Sequence, residues 1–373
     1  MKKDDLKDWI ARLIAPAGIK LDGANPWDIK ILDGDLYARV RNQGSLGLGE
    51  AYMDNWWECD ALDQFFCRLL RSRVEERINI TLPMALSFLR AKLTNMQSSG
   101  RAFEVGEKHY DLGNDLFKAM LGKSMAYSCG YWEKAKDLDS AQEAKFDLIC
   151  RKLYLRPEQR VLDIGCGWGS FAKYAAEKYG VEVVGITVSK EQAEFARNLC
   201  KGLPVEIRLQ DYRETNELFD RVVSIGMIEH VGVKNYRKYM QTAKRCLKQG
   251  GLSLLHTIGG LKSGSTTDPW INKYIFPNGM IPSMKQLSKS AEGLFVIEDV
   301  HNFGLYYDKT LMAWHENFEA AWPRLRNKYG SRFYRMWKYY LLSCAGAFRA
   351  RSLQLWQIVL SPQGAAEGYK AIR

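Results

Sequence analysis

The sequence predicts an α/β fold in which a mostly parallel sheet carries helices on both faces, preceded by a smaller, mainly helical N-terminal domain. From about residue 158 onwards, short apolar runs alternate with stretches of helical periodicity, as in parallel sheets with crossover helices. The first of these runs leads into a glycine-rich turn, whereas the first quarter shows helical spacing without such alternation. With 373 residues, 46% of them hydrophobic, the chain can form one large globular domain or two.

The N-terminal domain is predicted to span residues 1–97, with a linker that continues to about residue 105. An amphipathic helix begins it, because the apolar residues from Leu6 to Ile14 recur on one helical face. Its further predicted segments are a helix at 61–70, an apolar segment at 84–96 and a linker-like Gln-Ser-Ser-Gly-Arg stretch at 97–101.

The second domain is predicted to span residues 106–373 and to contain the sheet. Its predicted strands are 160–164, 181–186, 205–209, 219–225, 252–257 and 353–360, and its predicted helices are 170–179, 190–200, 235–247 and 310–322. Ligands of such sheets bind at the carboxyl ends of the strands, so we expect the functional residues there.

Composition and charge narrow the class of protein. The most apolar stretches are shorter than the roughly 18 residues of a membrane span, and the charged N-terminus lacks the apolar core of a signal peptide. We therefore expect a soluble, cytoplasmic protein. The eight cysteines are scattered without a CxxC pair, which argues against a disulfide framework or a zinc site, and no metal is expected. The formal charge of +11 indicates an anionic partner, either nucleic acid or an acidic membrane, and no nucleic-acid recognition motif accompanies it.

The most informative motif is Asp163-Ile-Gly-Cys-Gly-Trp-Gly169, which follows the first predicted strand of the sheet and begins the next helix. Glycines allow a tight turn and close approach to a ligand, and the start of a helix offers free N–H groups. The spacing differs from the G-x-G-x-x-G pattern of dinucleotide-binding proteins. It resembles the first motif of S-adenosylmethionine (SAM)-dependent methyltransferases. The alternative is a glycine-rich turn that binds no ligand.

Polar residues follow the next two strands. Typical members of that superfamily end the second strand with an acidic residue that holds the ribose hydroxyls, but here Thr187 and Gln192 are the polar candidates. Glu191 is an alternative, although on a helix it is more typical of a solvated charge. After the third strand, Asp211 is a candidate for the adenine amino group and Tyr212 for an apolar wall, while an isolated Asp in a loop is also a common turn former.

Four further side chains that could take part in chemistry lie at or near the predicted strand ends: Cys129, Glu229, His256 and Tyr307. Each also has a purely structural interpretation, as an inert thiol, a paired core residue or ordinary aromatic packing. Buried Glu is rare unless it is paired, so Glu229, in an apolar segment, is the strongest functional candidate of the four.

Several segments together resemble the cyclopropane-fatty-acyl-phospholipid synthase family. They are His109-Tyr-Asp-Leu-Gly-Asn-Asp115, Tyr127-Ser-Cys129, Leu162-Asp-Ile-Gly-Cys-Gly-Trp-Gly169, Gly226-Met-Ile-Glu-His-Val-Gly232, Leu255-His-Thr-Ile-Gly259, Tyr274-Ile-Phe-Pro-Asn-Gly279, Thr310-Leu-Met-Ala-Trp314 and Cys344-Ala-Gly-Ala-Phe-Arg-Ala-Arg351. The resemblance covers nearly the whole chain, including residues 44–57. The catalytic part also looks like the mycolic acid cyclopropane synthases, whereas the first quarter matches the phospholipid enzymes.

The resemblance implies methylene addition from SAM across the cis double bond of an acyl chain in a membrane phospholipid, with bound bicarbonate as the base. It implies as partners an anionic phospholipid surface and an unsaturated acyl chain, without nucleic acid, at the inner face of the cytoplasmic membrane. A homodimer is expected from the family alone.

The family's residue roles carry over to matching positions. Catalytic roles fall on Cys129, Glu229, His256 and Tyr307, and bicarbonate-binding roles on these four and Ile225. Cofactor-binding roles fall on Tyr127, Ser128, Asp163, Gly165, Cys166, Gly167, Gly169, Thr187, Gln192, Gln210, Asp211 and Tyr212. Aromatic faces suit a transient cation, so Trp270, Tyr274 and Phe276 are expected to line the acyl-chain site. Cys129 is expected to line the site; the alternative, a nucleophilic thiolate, would require a depressed pKa.

Lipid contact is predicted for the apolar segment 84–96 and the arginines near it: Arg68, Arg71, Arg73, Arg77 and Arg90. A core helix with a solvated charged face is the alternative. Two other functions remain open, namely a methyltransferase that stops at simple methylation of a small molecule or another lipid, and a lipid-binding protein with a decayed cofactor site. The intact glycines and the four reactive side chains argue against the second.

Overall fold

The structure is a computed structural model that describes residues 3–74, 113–264 and 266–373. Its helices are α1 (Lys3–Ile14), α2 (Leu36–Gln43), α3 (Ser45–Met53), α4 (Leu62–Arg71), α5 (Asn114–Leu121), α6 (Leu138–Lys152), α7 (Ser170–Tyr179), α8 (Lys190–Leu199), α9 (Tyr236–Arg245), α10 (Pro269–Tyr274), α11 (Met284–Ala291) and α12 (Leu305–Arg349). Its strands are β1 (Lys30–Ile31), β2 (Trp57–Glu58), β3 (Arg160–Ile164), β4 (Glu182–Thr187), β5 (Val205–Leu209), β6 (Phe219–Ile225), β7 (Leu247–Gly260), β8 (Val296–Asn302) and β9 (Leu353–Ser361). Among these helices, none is long and apolar enough to cross a membrane.

The chain divides into two compact units. The first comprises Met1–Thr94, Thr266–Pro277 and Tyr307–Leu353, and the second comprises Asn95–Ser265, Asn278–Tyr306 and Gln354–Arg373. The first unit thus takes in two later segments of the chain. The predicted boundary at residues 97–106 lies outside the described residues and stays a prediction, as do the roles of the apolar segment 84–96, Arg77 and Arg90.

The first unit is mainly helical, as predicted. The amphipathic opening helix is confirmed as α1, which buries Leu6, Ile10 and Ile14, and the second predicted helix is confirmed as α4. Large aromatic side chains from the N-terminal segment and from α12 pack together; for example, the ring centroids of Phe66 and Tyr339 are 5.1 Å apart. The unit is therefore held by an aromatic core rather than by a sheet, since its described strands β1 and β2 pair over only two residues each.

Helix α12 is much longer than the predicted 310–322 segment and is interrupted once. Gly330 has φ 76° and ψ 166°, which no helical residue adopts, so the chain turns there between two helical halves. Phe318 on the first half stacks on Tyr334 of the second at 5.8 Å, which shows that the halves pack side by side.

The second unit contains the predicted sheet. Its strand order is β5-β4-β3-β6-β7-β9-β8. The pairs β3/β4, β3/β6, β4/β5 and β6/β7 are parallel, and β8/β9 is antiparallel. The mostly parallel sheet is therefore confirmed. The strand order reverses between β3 and β6, where neighbouring crossovers leave in opposite directions and open a crevice at the carboxyl ends.

Helices cover both faces of this sheet, as predicted. Alternate residues of β3 show it, because Leu162 packs in a cluster with Tyr239 of α9 and Leu287 of α11. Its neighbour Val161 packs in a different cluster with Ile149 of α6 and residues of α7. A parallel strand is buried on both faces in this way, which explains why the strands appeared in the sequence as continuous apolar runs.

Candidate functional site

A cavity of about 210 Å³ opens at the carboxyl ends of β3, β4, β5 and β6, within the second unit. Its walls include all but one of the residues predicted to bind the cofactor, namely Tyr127, Ser128, Asp163, Gly165, Cys166, Gly167, Thr187, Gln192, Gln210, Asp211 and Tyr212. The cavity lies where the strand order reverses, which is the position that the topology of such sheets assigns to a ligand.

The glycine-rich turn forms one wall of the cavity through its backbone. Gly165 has φ +83°, and a Cβ atom there would lie 2.7 Å from Cγ of Met227 after β6, so only glycine fits. The N–H groups of Gly165 and Cys166 both donate to the Ile186 carbonyl at 3.0 Å, which ties the turn to β4. Burial raises the pKa of the Cys166 thiol well above its ordinary value, so this sulfur stays protonated.

Gly169 is the predicted cofactor residue that does not line the cavity. It precedes α7 with φ +86°, and a Cβ atom there would lie 2.9 Å from Cβ of Ala196 on α8. The structure therefore explains this glycine by the close packing of two helices, and its contact with a cofactor stays a prediction.

Two polar pairs occupy the ends of β4 and β5. The Thr187 hydroxyl donates to Oε1 of Gln192 at 2.9 Å, which leaves the Gln192 amide nitrogen as a donor toward the cavity wall. Both carboxylate oxygens of Asp211 accept hydrogen bonds from Arg213, at 2.8 Å from Nε and 2.6 Å from Nη2. Arg213 was not predicted, although a basic residue two positions after a loop Asp is a recognisable partner for it.

Lys145 and Gln142 of α6 are further residues that the sequence analysis missed. Lys145 lines the cavity and is fully buried, and its Nζ lies 2.8 Å from Oγ of Ser128 and 2.6 Å from Oε1 of Gln142. A signal was present, because Leu138, Ala141 and Lys145 share one helical face with other buried apolar positions. A lysine on such a face is rarely buried without a role.

A second group of predicted residues lies where β6 ends and beside it on β7. Ile225 pairs with His256 across these strands, and the N–H of Gly226 donates to the His256 carbonyl at 2.9 Å. The chain then forms a short 3-10 helix that carries Glu229, whose Oε1 accepts from the Ile258 N–H at 2.8 Å. Adjacent parallel strands thus bring three predicted residues together.

Two polar atoms of this group have no partner within the part of the chain that the structure describes. Oε2 of Glu229 and Nε2 of His256 are both buried and unbonded there. Burial raises the pKa of Glu229 to about 7, although the N–H groups of Ile258 and of Glu229 itself and the Thr257 hydroxyl act in the opposite direction. Burial, together with Lys145 and Lys152 nearby, holds the pKa of His256 well below its usual value, so its imidazole is neutral.

Gln357 of β9 determines which nitrogen of His256 carries the proton. Its Nε2 lies 3.3 Å from Nδ1 of His256, and Gln357 is fully buried. With the amide nitrogen of Gln357 on this side, Nδ1 accepts and Nε2 carries the proton. The group therefore presents one acceptor, on Glu229, and one donor, on His256. Cys129 is buried as well, and its thiol donates to the Gly130 carbonyl at 3.2 Å.

The other predicted residues belong to the first unit. Trp270 and Tyr274 of α10 pack with Tyr339, with 4.5 Å between the ring centroids of Trp270 and Tyr339. Phe276 packs on Tyr340, with 5.8 Å between their ring centroids. Tyr307 stacks on Phe348 with 4.5 Å between the ring centroids, and it packs edge to face with Trp314 with 5.9 Å between the centroids. Their predicted roles toward substrate and bicarbonate stay predictions.

Comparison with known proteins identifies relatives over the whole described sheet. Residues 97–358 match the family model described as mycolic acid cyclopropane synthetase. The cyclopropane-fatty-acyl-phospholipid synthase of Escherichia coli (strain K12) is 54% identical over 361 residues, which cover 97% of this chain and 94% of that protein. Among solved structures, the mycolic acid cyclopropane synthase CmaA1 complexed with SAH and CTAB is 34% identical with a TM-score of 0.65, over 69% of this chain and 97% of that one. The cyclopropane synthase MmaA2 from Mycobacterium tuberculosis is 32% identical, with the same TM-score and coverage.

Proposed function

The chain belongs to the cyclopropane synthase family of SAM-dependent methyltransferases, and from this we propose that it converts unsaturated acyl chains of membrane phospholipids into cyclopropane fatty acyl chains. The observation that carries the proposal is the likeness to the E. coli synthase over nearly the whole chain, the first quarter included. The cavity at the strand reversal and the buried Glu229–His256 group support it, as candidate sites for SAM and for a base.

The reaction transfers one carbon in two bond-forming steps. The alkene's π electrons attack the methyl carbon of SAM, the S–CH₃ bond breaks with its electron pair going to sulfur, and S-adenosylhomocysteine (SAH) leaves. The positive charge then resides on the acyl chain. Loss of a proton from the transferred methyl closes the three-membered ring. An alkene cannot be activated by deprotonation, so catalysis depends on positioning and on stabilising the cation.

The cavity of the second unit is the proposed SAM site. Ser128 and Tyr127 would take the methionine end, while Thr187 and Gln192 would hold the ribose hydroxyls. Support for the ribose assignment comes from the Thr187–Gln192 hydrogen bond, which fixes the pair and leaves the Gln192 amide to donate. Asp211, oriented by Arg213, would accept from the adenine amino group.

The Glu229–His256 group is the proposed bicarbonate site. Bicarbonate has one O–H donor and several acceptor oxygens, and the group has one unbonded acceptor and one unbonded donor, so the residues fit the ion. Backbone N–H groups near Cys129 and Ile225 would serve its remaining oxygens. Bicarbonate bound there would supply the base for the final proton. Tyr307 belongs to the first unit, and its share in this site stays a prediction.

The first unit is the proposed source of acyl-chain and membrane contacts. The aromatic faces of Trp270, Tyr274 and Phe276 suit both an apolar chain and a transient cation. We further infer a peripheral attachment to anionic membranes through basic residues, and a homodimer as in the family. Two of the arginines also have structural contacts, since Arg68 stacks on Trp27 at 3.6 Å and Arg71 donates to the Arg349 carbonyl at 3.2 Å.

Product analysis tests the proposal. The purified protein is incubated with SAM and vesicles of an unsaturated phospholipid, and the released fatty acids are analysed by gas chromatography. The proposed function predicts a cyclopropane product that forms only when SAM is present. A methyl-branched product would support simple methylation instead, and an unchanged lipid pool together with SAH binding would support a lipid-binding protein.

A further inference from the structure

A fully buried lysine lies beside the proposed methionine end of the SAM cavity. The exposed fractions of Lys145 and Gln142 are both 0%, and Ser128 is buried at 8%. Lys145 Nζ contacts Ser128 Oγ at 2.8 Å and Gln142 Oε1 at 2.6 Å. Both of these partners are neutral, so neither offsets the charge of the ammonium group.

The directions of these hydrogen bonds are fixed by their partners. The Gln142 amide nitrogen donates to the Ser128 main-chain carbonyl at 2.8 Å, which turns Oε1 of Gln142 toward Lys145. In its ammonium form, which a bound carboxylate favours, Lys145 only donates, so Oγ of Ser128 then accepts from it. The hydroxyl proton of Ser128 must therefore point to a different acceptor. Because Ser128 and Lys145 both line the cavity, that acceptor is available in a ligand.

The charges around this hydroxyl match an amino acid. Burial lowers the pKa of Lys145 to about 7, and Asp163 nearby acts in the opposite direction. A bound anion would favour the ammonium form further. Asp163 also lines the cavity, and its Oδ1 is buried and unbonded within the described residues. Burial raises the pKa of Asp163 to about 7, and a ligand's ammonium group would favour its carboxylate form. The Ser128 hydroxyl, held by Lys145, and the Asp163 carboxyl group line the same cavity and can meet the carboxylate and the ammonium group of an α-amino acid.

We propose that Lys145 is a positioning residue that, through Ser128, directs a hydroxyl donor at the carboxylate of the cofactor's amino-acid moiety. The inference rests on the proposed function, because it takes the ligand to be SAM. It adds a residue to the proposed SAM site and predicts a difference in affinity. The cavity should bind ligands that keep the amino-acid moiety more tightly than ligands that have lost it.

Binding of two ligands to Lys145→Met tests the inference. SAH carries the amino-acid moiety, whereas 5′-methylthioadenosine has the same nucleoside and thioether without it. Hydrogen bonds to charged groups imply a loss of about 10- to 100-fold in SAH affinity for the variant. The affinity of the variant for 5′-methylthioadenosine should stay within about twofold of that of the unaltered chain, since no group of this ligand would contact the Ser128 hydroxyl. Isothermal titration calorimetry measures both.

Ser128→Ala is the second variant, and it leaves the lysine in place with a smaller change in volume. The inference predicts the same selective loss for it, and predicts that the double variant loses little more than the worse single variant, because the two residues act as one unit. Equal losses for both ligands, an unchanged SAH affinity, or fully additive losses would overturn it. Failure of the unaltered chain to bind SAH would instead refute the proposed function.

Discussion

At Glu229 a single buried carboxyl group serves the proposed chemistry and lowers the stability of the fold. Its folded-state pKa of about 7 lies above the ordinary value of 4.5, so the folded chain binds this proton more tightly than the unfolded chain. The free energy of unfolding therefore falls as pH rises from about 4.5 to about 7, by roughly 3 kcal/mol in total from this group, and the loss persists above pH 7.

Replacing the carboxyl group removes this penalty and the acceptor together. Relative to the unaltered chain, Glu229→Gln should gain about 2 kcal/mol more stability at pH 8 than at pH 5, measured by urea unfolding at both values.

Turnover of the Glu229→Gln variant should fall about 100-fold or more, because an amide nitrogen cannot accept the bicarbonate O–H. In the unaltered enzyme, turnover should rise with pH through about 7. A variant with full turnover would contradict the role of Glu229.

His256 depends on Gln357 for its tautomer. Gln357→Leu removes the donor to Nδ1, so the proton can move from Nε2 to Nδ1 and the donor toward bicarbonate is lost. We expect a fall in turnover of about 10-fold or more and a change of tautomer in the ¹⁵N NMR spectrum of the His256 ring. Gln354→Leu is the matched control on the same strand, because Gln354 accepts from Asn302 and not from His256. An Nε2–H tautomer in both variants would refute this role.

Several of the site's residues were predictable from sequence because a motif or a strand end marks them. Glu229 and Asp211 each follow a buried strand, and His256 lies near the carboxyl end of another. Lys145 and Gln357 were missed, because each lies inside an element and acts through a neighbour's side chain. Their neighbours, Ser128 and His256, are distant in sequence, so only the tertiary packing reveals the contact.

At the scale of the element, the glycine-rich turn makes a specific prediction. Gly165→Ala adds a Cβ atom at 2.7 Å from Met227 and keeps a φ of +83°, whereas Gly202→Ala meets no atom within 4 Å at a φ of +85°. Both variants should lose about 1 kcal/mol of stability from the left-handed backbone. Only Gly165→Ala should also lose SAH affinity, by about 10-fold, as the turn shifts beside the cavity. Thermal unfolding and SAH titration check this, and equal SAH affinity in the two variants would contradict it.

Helix α10 makes a second prediction in the first unit. Gly49 packs directly on Trp270, and a Cβ atom there would lie 2.4 Å from Cδ1 of the indole ring. Glu50 anchors the same helix by accepting from Lys273 at 2.6 Å and from Tyr274 at 2.8 Å. If Trp270 lines the acyl-chain site, Gly49→Ala should raise the KM for lipid several-fold without changing SAH affinity.

Steady-state kinetics with vesicles and SAH titration measure these two quantities for Gly49→Ala. Gly34→Ala is a matched control in the same unit, because the Cβ atom there would meet only the flexible side chain of Lys3. An unchanged KM in Gly49→Ala, or the same rise in the control, would contradict the assignment of Trp270.

Strands β3, β4, β5, β6 and β9 were predictable within a residue because each is a short apolar run between turn signals, whereas β7 extends beyond the predicted 252–257 at both ends. Strand β8 was not predicted, since its exposed Val296, Ile297 and Val300 do not alternate with polar residues in the way a half-buried strand does. The length of α12 was also missed. A proline usually ends a helix, but this one continues past Pro323 to the break at Gly330 and resumes after it.

At the scale of the molecule, the division into units could not be read from local patterns. Helical periodicity shows that α10 and α12 each have a buried face, but it does not show which part of the chain covers that face. The structure groups both with the N-terminal segment. The boundary predicted at residues 97–106 lies outside the described residues and stays a prediction.

The formal charge of +11 makes a prediction about membrane binding. Electrostatic attraction to anionic lipid is screened by salt, so the fraction bound to anionic vesicles should fall several-fold between about 0.05 M and about 0.5 M NaCl. Cosedimentation measures it, with vesicles of neutral lipid as the control. Binding to anionic vesicles that does not depend on salt would contradict an electrostatic attachment.

The most direct test of the central claim follows the transferred carbon. The chain is incubated with SAM that carries a trideuterated methyl group and with unsaturated phospholipid vesicles, and the product acyl chains are analysed by mass spectrometry and NMR. Methylene transfer predicts a ring carbon that keeps two of the three deuterium atoms, with loss of the double bond. A product that keeps all three on a methyl branch would contradict the account.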